Sequence, residues 1–253
     1  MSIKSFWLLY FSVRPECFSF CVSEMKNVSK DRKNKVIKCI KVLLLCISTF
    51  TSFAHTPFTI MLDPAGDAQY PGRIIDDCFE RGITLQLAEQ LSTVIAQRFP
   101  SIRVVITRQP GETRQPLQHA NFANRLNVDL YLSIHCYPES KPKSQLYLYY
   151  FSYNDPFASK PSPYAMCPYD KAYLYSLQTT KKWSDLIAHT LRDGQYAHLM
   201  VFHGIYALPF APLIGIKKPA LAFEIGLKQK DSWKQFIEPI VASLAPIFEA
   251  RIS

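Results

Sequence analysis

Short apolar runs alternate with stretches of helical spacing along residues 58–250, and this alternation limits the fold more than any other feature of the chain. Phe58–Leu62 (FTIML) is an apolar run closed by Asp63-Pro64, with the length and composition of a buried strand. From Glu80 to Phe99 the residues Leu85, Ala88, Leu91, Ile95 and Phe99 recur three or four apart, which predicts a helix that Pro100 ends. Ile102–Thr107 (IRVVIT) predicts a strand. Pro116–Asn127 predicts a helix from Leu117, Ala120, Ala123 and Leu126, with Pro116 suited to its first turn. Asp129–Ile134, Gln145–Phe151 and Pro219–Ile225 predict further strands. Lys181–Leu191 and Asp231–Glu249 predict helices, the last capped by Asp231 or Ser232 and bent at Pro239. Residues 152–170 carry four prolines and predict a long loop. Strands separated by helices predict an α/β fold: a single domain with a mostly parallel, twisted central sheet flanked by helices.

Charge is unevenly placed. The chain of 253 residues has 29 Lys and Arg against 20 Asp and Glu, a formal +9. Residues 1–54 hold nine of the bases and three of the acids, so most of the surplus lies there. The basic balance therefore gives no reason to expect a nucleic-acid partner. From Met25, seven positive residues precede the apolar run Val42–Phe50, and small and polar residues lead to Ala54. That order is the pattern of a secretory signal. Residues 1–54 are expected to be an N-terminal leader cleaved after Ala54, with Met25 a candidate true start and residues 55–253 the functional domain. The apolar run is far shorter than the ~20 residues a spanning helix needs, so no stable membrane span is expected after cleavage. The competing reading is an uncleaved N-terminal anchor. The expected location is outside the cytoplasm, in the periplasm or cell envelope. Cys78, Cys136 and Cys167 follow the leader, an odd number without a C-x-x-C, so no disulfide framework is expected.

In folds of this class the ligand site lies outside the carboxyl ends of the strands. Asp63 ends the first predicted strand, His135 follows the third, and Glu224 sits near the end of the last; Glu80 opens the first helix. A histidine with one carboxylate as metal ligands and a second carboxylate as base is the donor chemistry of a hydrolytic metal site. A lone histidine at a strand end is more often a hydrogen-bonded structural residue. A glutamate in an apolar strand needs a partner, because burying its charge is costly.

Five motifs occur in a fixed order. They are Asp63-Pro64-Ala65-Gly66 with Pro71-Gly72, then Phe79-Glu80-Arg81-Gly82-Ile83-Thr84-Leu85, then Thr107-Arg108. Ala123-Asn124 with Asp129-Leu130-Tyr131-Leu132-Ser133-Ile134-His135 follows, and Lys218-Pro219-Ala220-Leu221-Ala222-Phe223-Glu224-Ile225-Gly226 closes the set. With them, residues 58 to 250 resemble the zinc-dependent N-acetylmuramoyl-L-alanine amidases of cell-wall metabolism, the amidase-3 type. The resemblance implies Zn2+ as cofactor, Glu80 and His135 as metal ligands, and Glu224 as the catalytic glutamate. The family's first histidine ligand has no counterpart, since Gly66 stands at its position. His119 and His203-Gly204 stand where the family has an Arg and an R-G. Asp67 is the preferred substitute ligand, with Asp63 on the same loop, and Gly66→His is expected to tighten binding. A sulfur donor from Cys78 or Cys136 is a second route. Adjacent strand residues face opposite ways, so Cys136 is expected instead to be a buried small residue.

The implied function is that of an exported cell-wall hydrolase. It cleaves the amide between N-acetylmuramic acid and L-alanine in peptidoglycan with zinc-activated water. The alternative is a non-catalytic amidase-like protein that binds peptidoglycan or regulates a partner amidase. The expected partner is peptidoglycan, at its glycan-linked stem peptide; no residue pattern names a protein partner or an oligomeric state. The Tyr-rich segment from Tyr147 to Tyr175 is read as ordinary packing in preference to a glycan groove.

Overall fold

The computed structural model describes residues 57–113, 115, 117–153 and 167–252. The leader, Pro116 and most of the predicted 152–170 loop lie outside the described residues. The remaining chain runs β1 (Phe58–Pro64), β2 (Ile74–Ile75), β3 (Cys78–Phe79), α1 (Glu80–Arg98), β4 (Ile102–Ile106) and α2 (Gln118–Leu126). It continues through β5 (Leu130–Pro138), β6 (Ser144–Phe151), α3 (Leu177–Arg192), β7 (Met200–Leu208), β8 (Ala220–Leu227) and α4 (Ile237–Ile252). Among the described residues no helix is long and apolar enough to cross a membrane.

Six strands form one sheet in the order β4-β1-β5-β8-β6-β7, and β2 and β3 make a separate two-stranded ribbon. Within the six-stranded sheet every neighbouring pair is parallel except β6 against β8. The expected α/β domain with a mostly parallel sheet is therefore observed. Period-two alternation divides each central strand between two cores. Ile60, Leu62, Leu132, Ile134, Leu221 and Phe223 face a large core packed by Leu87, Leu91 and Ile95 of α1, Trp183 and Ile187 of α3, and Ile240, Leu244 and Phe248 of α4. Met61, Tyr131 and Ala222 face a smaller core closed by Ala120 and Ala123 of α2 and by Tyr173, Leu213 and Ile216. Full burial of a Leu, Ile or Phe side chain contributes about 1.5–3 kcal/mol, so the three-helix side carries most of the stability.

Three local expectations differ from what is observed. Strand β7 was not expected. It is an edge strand, half exposed, interrupted by Gly204 at positive φ and by a register shift opposite Leu146 and Leu148, so its apolar alternation is broken. The final helix begins later than predicted. Ser232–Phe236 is a 3-10 turn, and neither Asp231 nor Ser232 provides a side-chain cap there. Pro239 falls in the first turn of α4, where an N–H lacks an intrahelical partner anyway, and it is Pro246 that lies inside the helix.

Candidate active site

Register decides which polar side chains meet. Parallel pairing places Asp63 beside Ser133 and His135 beside Glu224, all near the carboxyl ends of their strands. All four sit at positions alternating with the residues of the large core, hence on the face that carries the smaller one. Cys136, one residue on, faces the large core and is fully buried, as its alternation predicts. Antiparallel β6 then sets Tyr147 opposite Glu224, with Tyr149 two residues on and on the same face.

Glu80 enters from the opposite direction, as the first residue of α1, where the helix dipole favours a carboxylate. It is 5% exposed. Its Oε1 accepts the backbone N–H of Cys136 at 2.9 Å and its Oε2 that of Arg73 at 3.1 Å. The fit requires glycine at position 72, which has φ of +80°: a Cβ there would lie 2.6 Å from Glu80 Oε2. His135 Nδ1 is 3.7 Å from Glu80 Oε1, its Nε2 is 3.0 Å from Ser133 Oγ, and its ring packs edge-on against Phe210 at 5.1 Å.

Burial holds the His135 pKa below the ordinary imidazole value of 6.5, against the upward pull of Glu80, Asp63 and Glu224. His135 is therefore neutral near pH 7. Below that value the unfolded chain binds a proton that the folded state resists. The contribution to stability is complete above about pH 6.5 and is lost as the pH falls toward the folded-state pKa. The urea midpoint should drop as the pH falls below about 6.5, and His135→Asn should flatten that drop. Equal slopes for the two proteins would show that His135 does not titrate this way.

Glu224 is bracketed by two donors. The Arg73 guanidinium donates from Nη1 to Oε1 at 2.8 Å, and the Tyr149 hydroxyl donates to Oε2 at 2.9 Å. Burial, and then the hydrogen bond and charge of Glu224, push the Tyr149 pKa far up, so the phenol stays protonated. Tyr149 stacks on Phe210 at 5.0 Å, and Tyr147 stacks on His203 at 4.4 Å. These described parts of the Tyr-rich segment form an aromatic wall beside the carboxylate.

Residues 60–237 match the family model described as N-acetylmuramoyl-L-alanine amidase. The chain belongs to this amidase family. No curated relative matches it in sequence. Among solved structures, an N-acetylmuramoyl-L-alanine amidase from Clostridium difficile 630 superposes with TM-score 0.57 at 18% identity, over 77% of this chain and 98% of its own. The catalytic domain of CwlV, the amidase from Bacillus (Paenibacillus) polymyxa var. colistinus, gives 0.55 at 15% identity, over 76% and 98%. An amidase from Nostoc punctiforme gives 0.56 at 14% identity, over 76% and 98%. At these identities the superpositions establish a shared fold.

The donor set that a zinc ion would need in this family member is incomplete. Gly66 has φ of +73°, and a Cβ on it would lie 2.8 Å from Arg81 Cβ and 3.1 Å from the Pro71 carbonyl oxygen. Gly66→His is therefore a strained, crowded substitution and not the simple restoration its position in the motif suggests. Asp67 turns back on its own loop, where Oδ1 accepts the N–H groups of Gln69 at 2.8 Å and Tyr70 at 2.7 Å. Asp63 accepts from Thr107 Oγ1 at 2.6 Å. Cys78 lines a separate cavity of about 490 Å³ with Phe79, Arg81 and Lys230, away from His135 and Glu224. Among the described residues no three His, Cys, Asp or Glu side chains form a group able to hold a metal ion. Glu80 and His135 are brought together, with Glu224 across the strand pair, but Asp67 does not complete a three-donor set with them. Zinc in its usual three-ligand arrangement does not fit the residues present. Arg73 and Phe210 had no sequence signal that linked them to this site, and Tyr149 had only its place in the Tyr-rich segment.

Proposed function

We propose that this amidase-family chain is an exported peptidoglycan hydrolase, acting on the amide between N-acetylmuramic acid and L-alanine, with Glu224 as the proton-transfer group. The observation that carries the reading is the setting of Glu224, 17% exposed in its side chain and oriented by Arg73 and Tyr149. A carboxylate has about four acceptor positions, so these two hydrogen bonds leave room for a water. As that water's oxygen bonds to the lactyl carbonyl carbon, Glu224 takes its proton. When the carbon–nitrogen bond breaks, Glu224 gives the proton to the departing alanine nitrogen. Tyr149 keeps the carboxylate in one orientation while this happens. Tyr149 stacks with Tyr147 and with Phe210, and this aromatic wall beside the carboxylate is where a sugar ring would pack.

The Gly66 position favours a second reading, a non-catalytic protein that binds wall fragments. One experiment separates them. Purified peptidoglycan is incubated with the protein, and stem peptides with a free L-alanine amino terminus are quantified. Release supports the hydrolase; no release together with co-sedimentation on wall material favours the binder. Export is tested on the same preparation. Expressed from Met25, the protein should begin at His55 and be recovered outside the cytoplasm. An intact leader on cytoplasmic protein would count against export.

A further inference from the structure

The site differs from a three-ligand metal centre in a second way: it already contains a cation. Arg73 follows the constrained Gly72, and Glu80 fixes its backbone from both sides. The Arg73 N–H donates to Glu80 Oε2 at 3.1 Å, and the Glu80 N–H donates to the Arg73 carbonyl at 2.7 Å. The guanidinium then reaches Glu224 Oε1 at 2.8 Å and the Cys136 carbonyl at 3.4 Å, and lies over the Tyr137 ring at 5.8 Å. Gly226 leaves room for that ring, since a Cβ there would lie 2.7 Å from the Tyr137 hydroxyl. His135 stands 3.7 Å from Glu80 and beside Glu224 in register. These are the positions the resemblance assigns to two metal ligands and the catalytic carboxylate.

The geometry points to Arg73 as the resident cation of this site: its guanidinium supplies the positive charge between Glu80 and Glu224 and keeps a divalent metal from settling there. A dication among the same carboxylates would be repelled by the guanidinium at a separation well within a Debye length. It would also have to compete for Glu224 Oε1, which Arg73 holds, and for both oxygens of Glu80, which backbone N–H groups hold. The amide-hydrolysis reading adds one consequence. Arg73 would then stand beside the proton-transfer group as a fixed positive charge able to favour an oxyanion.

Zinc titration by calorimetry, with metal content by mass spectrometry, tests this on the protein expressed from Met25. Wild type should lack stoichiometric zinc and bind added zinc weakly. Arg73→Met should tighten zinc binding roughly 10–100-fold, the range over which neighbours of metal ligands act. Arg73→Lys, which keeps the charge, should behave as wild type. Arg73→Gln replaces Arg73→Met in the comparison if circular dichroism shows the latter unfolded. Stoichiometric zinc in wild type would overturn the proposal. A folded, uncharged variant no better at binding zinc than wild type would overturn it too, because exclusion would not then trace to Arg73. The titration contains no peptidoglycan, so absent turnover, which would sink the hydrolase reading, leaves this comparison intact. If turnover occurs, EDTA should not abolish it.

Discussion

Glu224→Gln should lower stem-peptide release by roughly 10²–10⁴-fold, the usual share of a general base, while the protein stays folded. The substitution is nearly isosteric and keeps an oxygen to accept from Arg73 and an amide to meet the Tyr149 hydroxyl. What it removes is the ability to take a proton from water. The ion pair it breaks is not deeply buried, since the Arg73 side chain is 50% exposed. Loss of such a pair costs about 0–1 kcal/mol, so thermal unfolding should shift little. Initial rates on purified peptidoglycan, beside melting curves for both proteins, make the comparison. Equal rates would remove Glu224 from the chemistry, and an equal loss of fold and rate would make its role structural.

Glu80→Ala should act mainly on the fold. The carboxylate is buried and holds two backbone N–H groups, those of Cys136 in β5 and Arg73 in the preceding loop. Truncation would leave those donors unpaired and remove the anion facing His135. Each buried donor left unpaired costs about 1–3 kcal/mol, so the two together should cost roughly 2–6 kcal/mol. Glu80→Gln keeps one acceptor oxygen and the side-chain volume, and should cost roughly 1–3 kcal/mol. Urea denaturation at neutral pH would show the midpoint fall in that order with unchanged slope. Stability of Glu80→Ala within about 0.5 kcal/mol of wild type would mean that water replaces the carboxylate without penalty. A large loss would make Glu80 a brace between loop and sheet, whatever else it binds.

The sequence made some of this legible for definite reasons. The first helix was readable because Leu85, Ala88, Leu91 and Ile95 keep one periodic face, and three of them, Ala88, Leu91 and Ile95, are fully buried. His135 and Glu224 were readable as site candidates because polar residues ending apolar strands in this fold class converge by geometry. Strand β7 was hidden because an edge strand with a register shift loses its period. Asp67 looked available because its preference for its own loop depends on the backbone turn to Tyr70, which spacing does not reveal. Arg73 was invisible for a different reason. Its partner lies 151 positions away, and an arginine in a loop has no periodic neighbours to mark it.

The two faces of each central strand have unequal duties. Residues of the large core fasten three helices to the sheet, whereas Asp63, Ser133, His135 and Glu224 project from the other side. Substitutions among the second set leave that three-helix packing untouched. A lineage built this way can exchange its chemistry without losing its architecture. Changes within that second set are exposed to selection only through what the protein does.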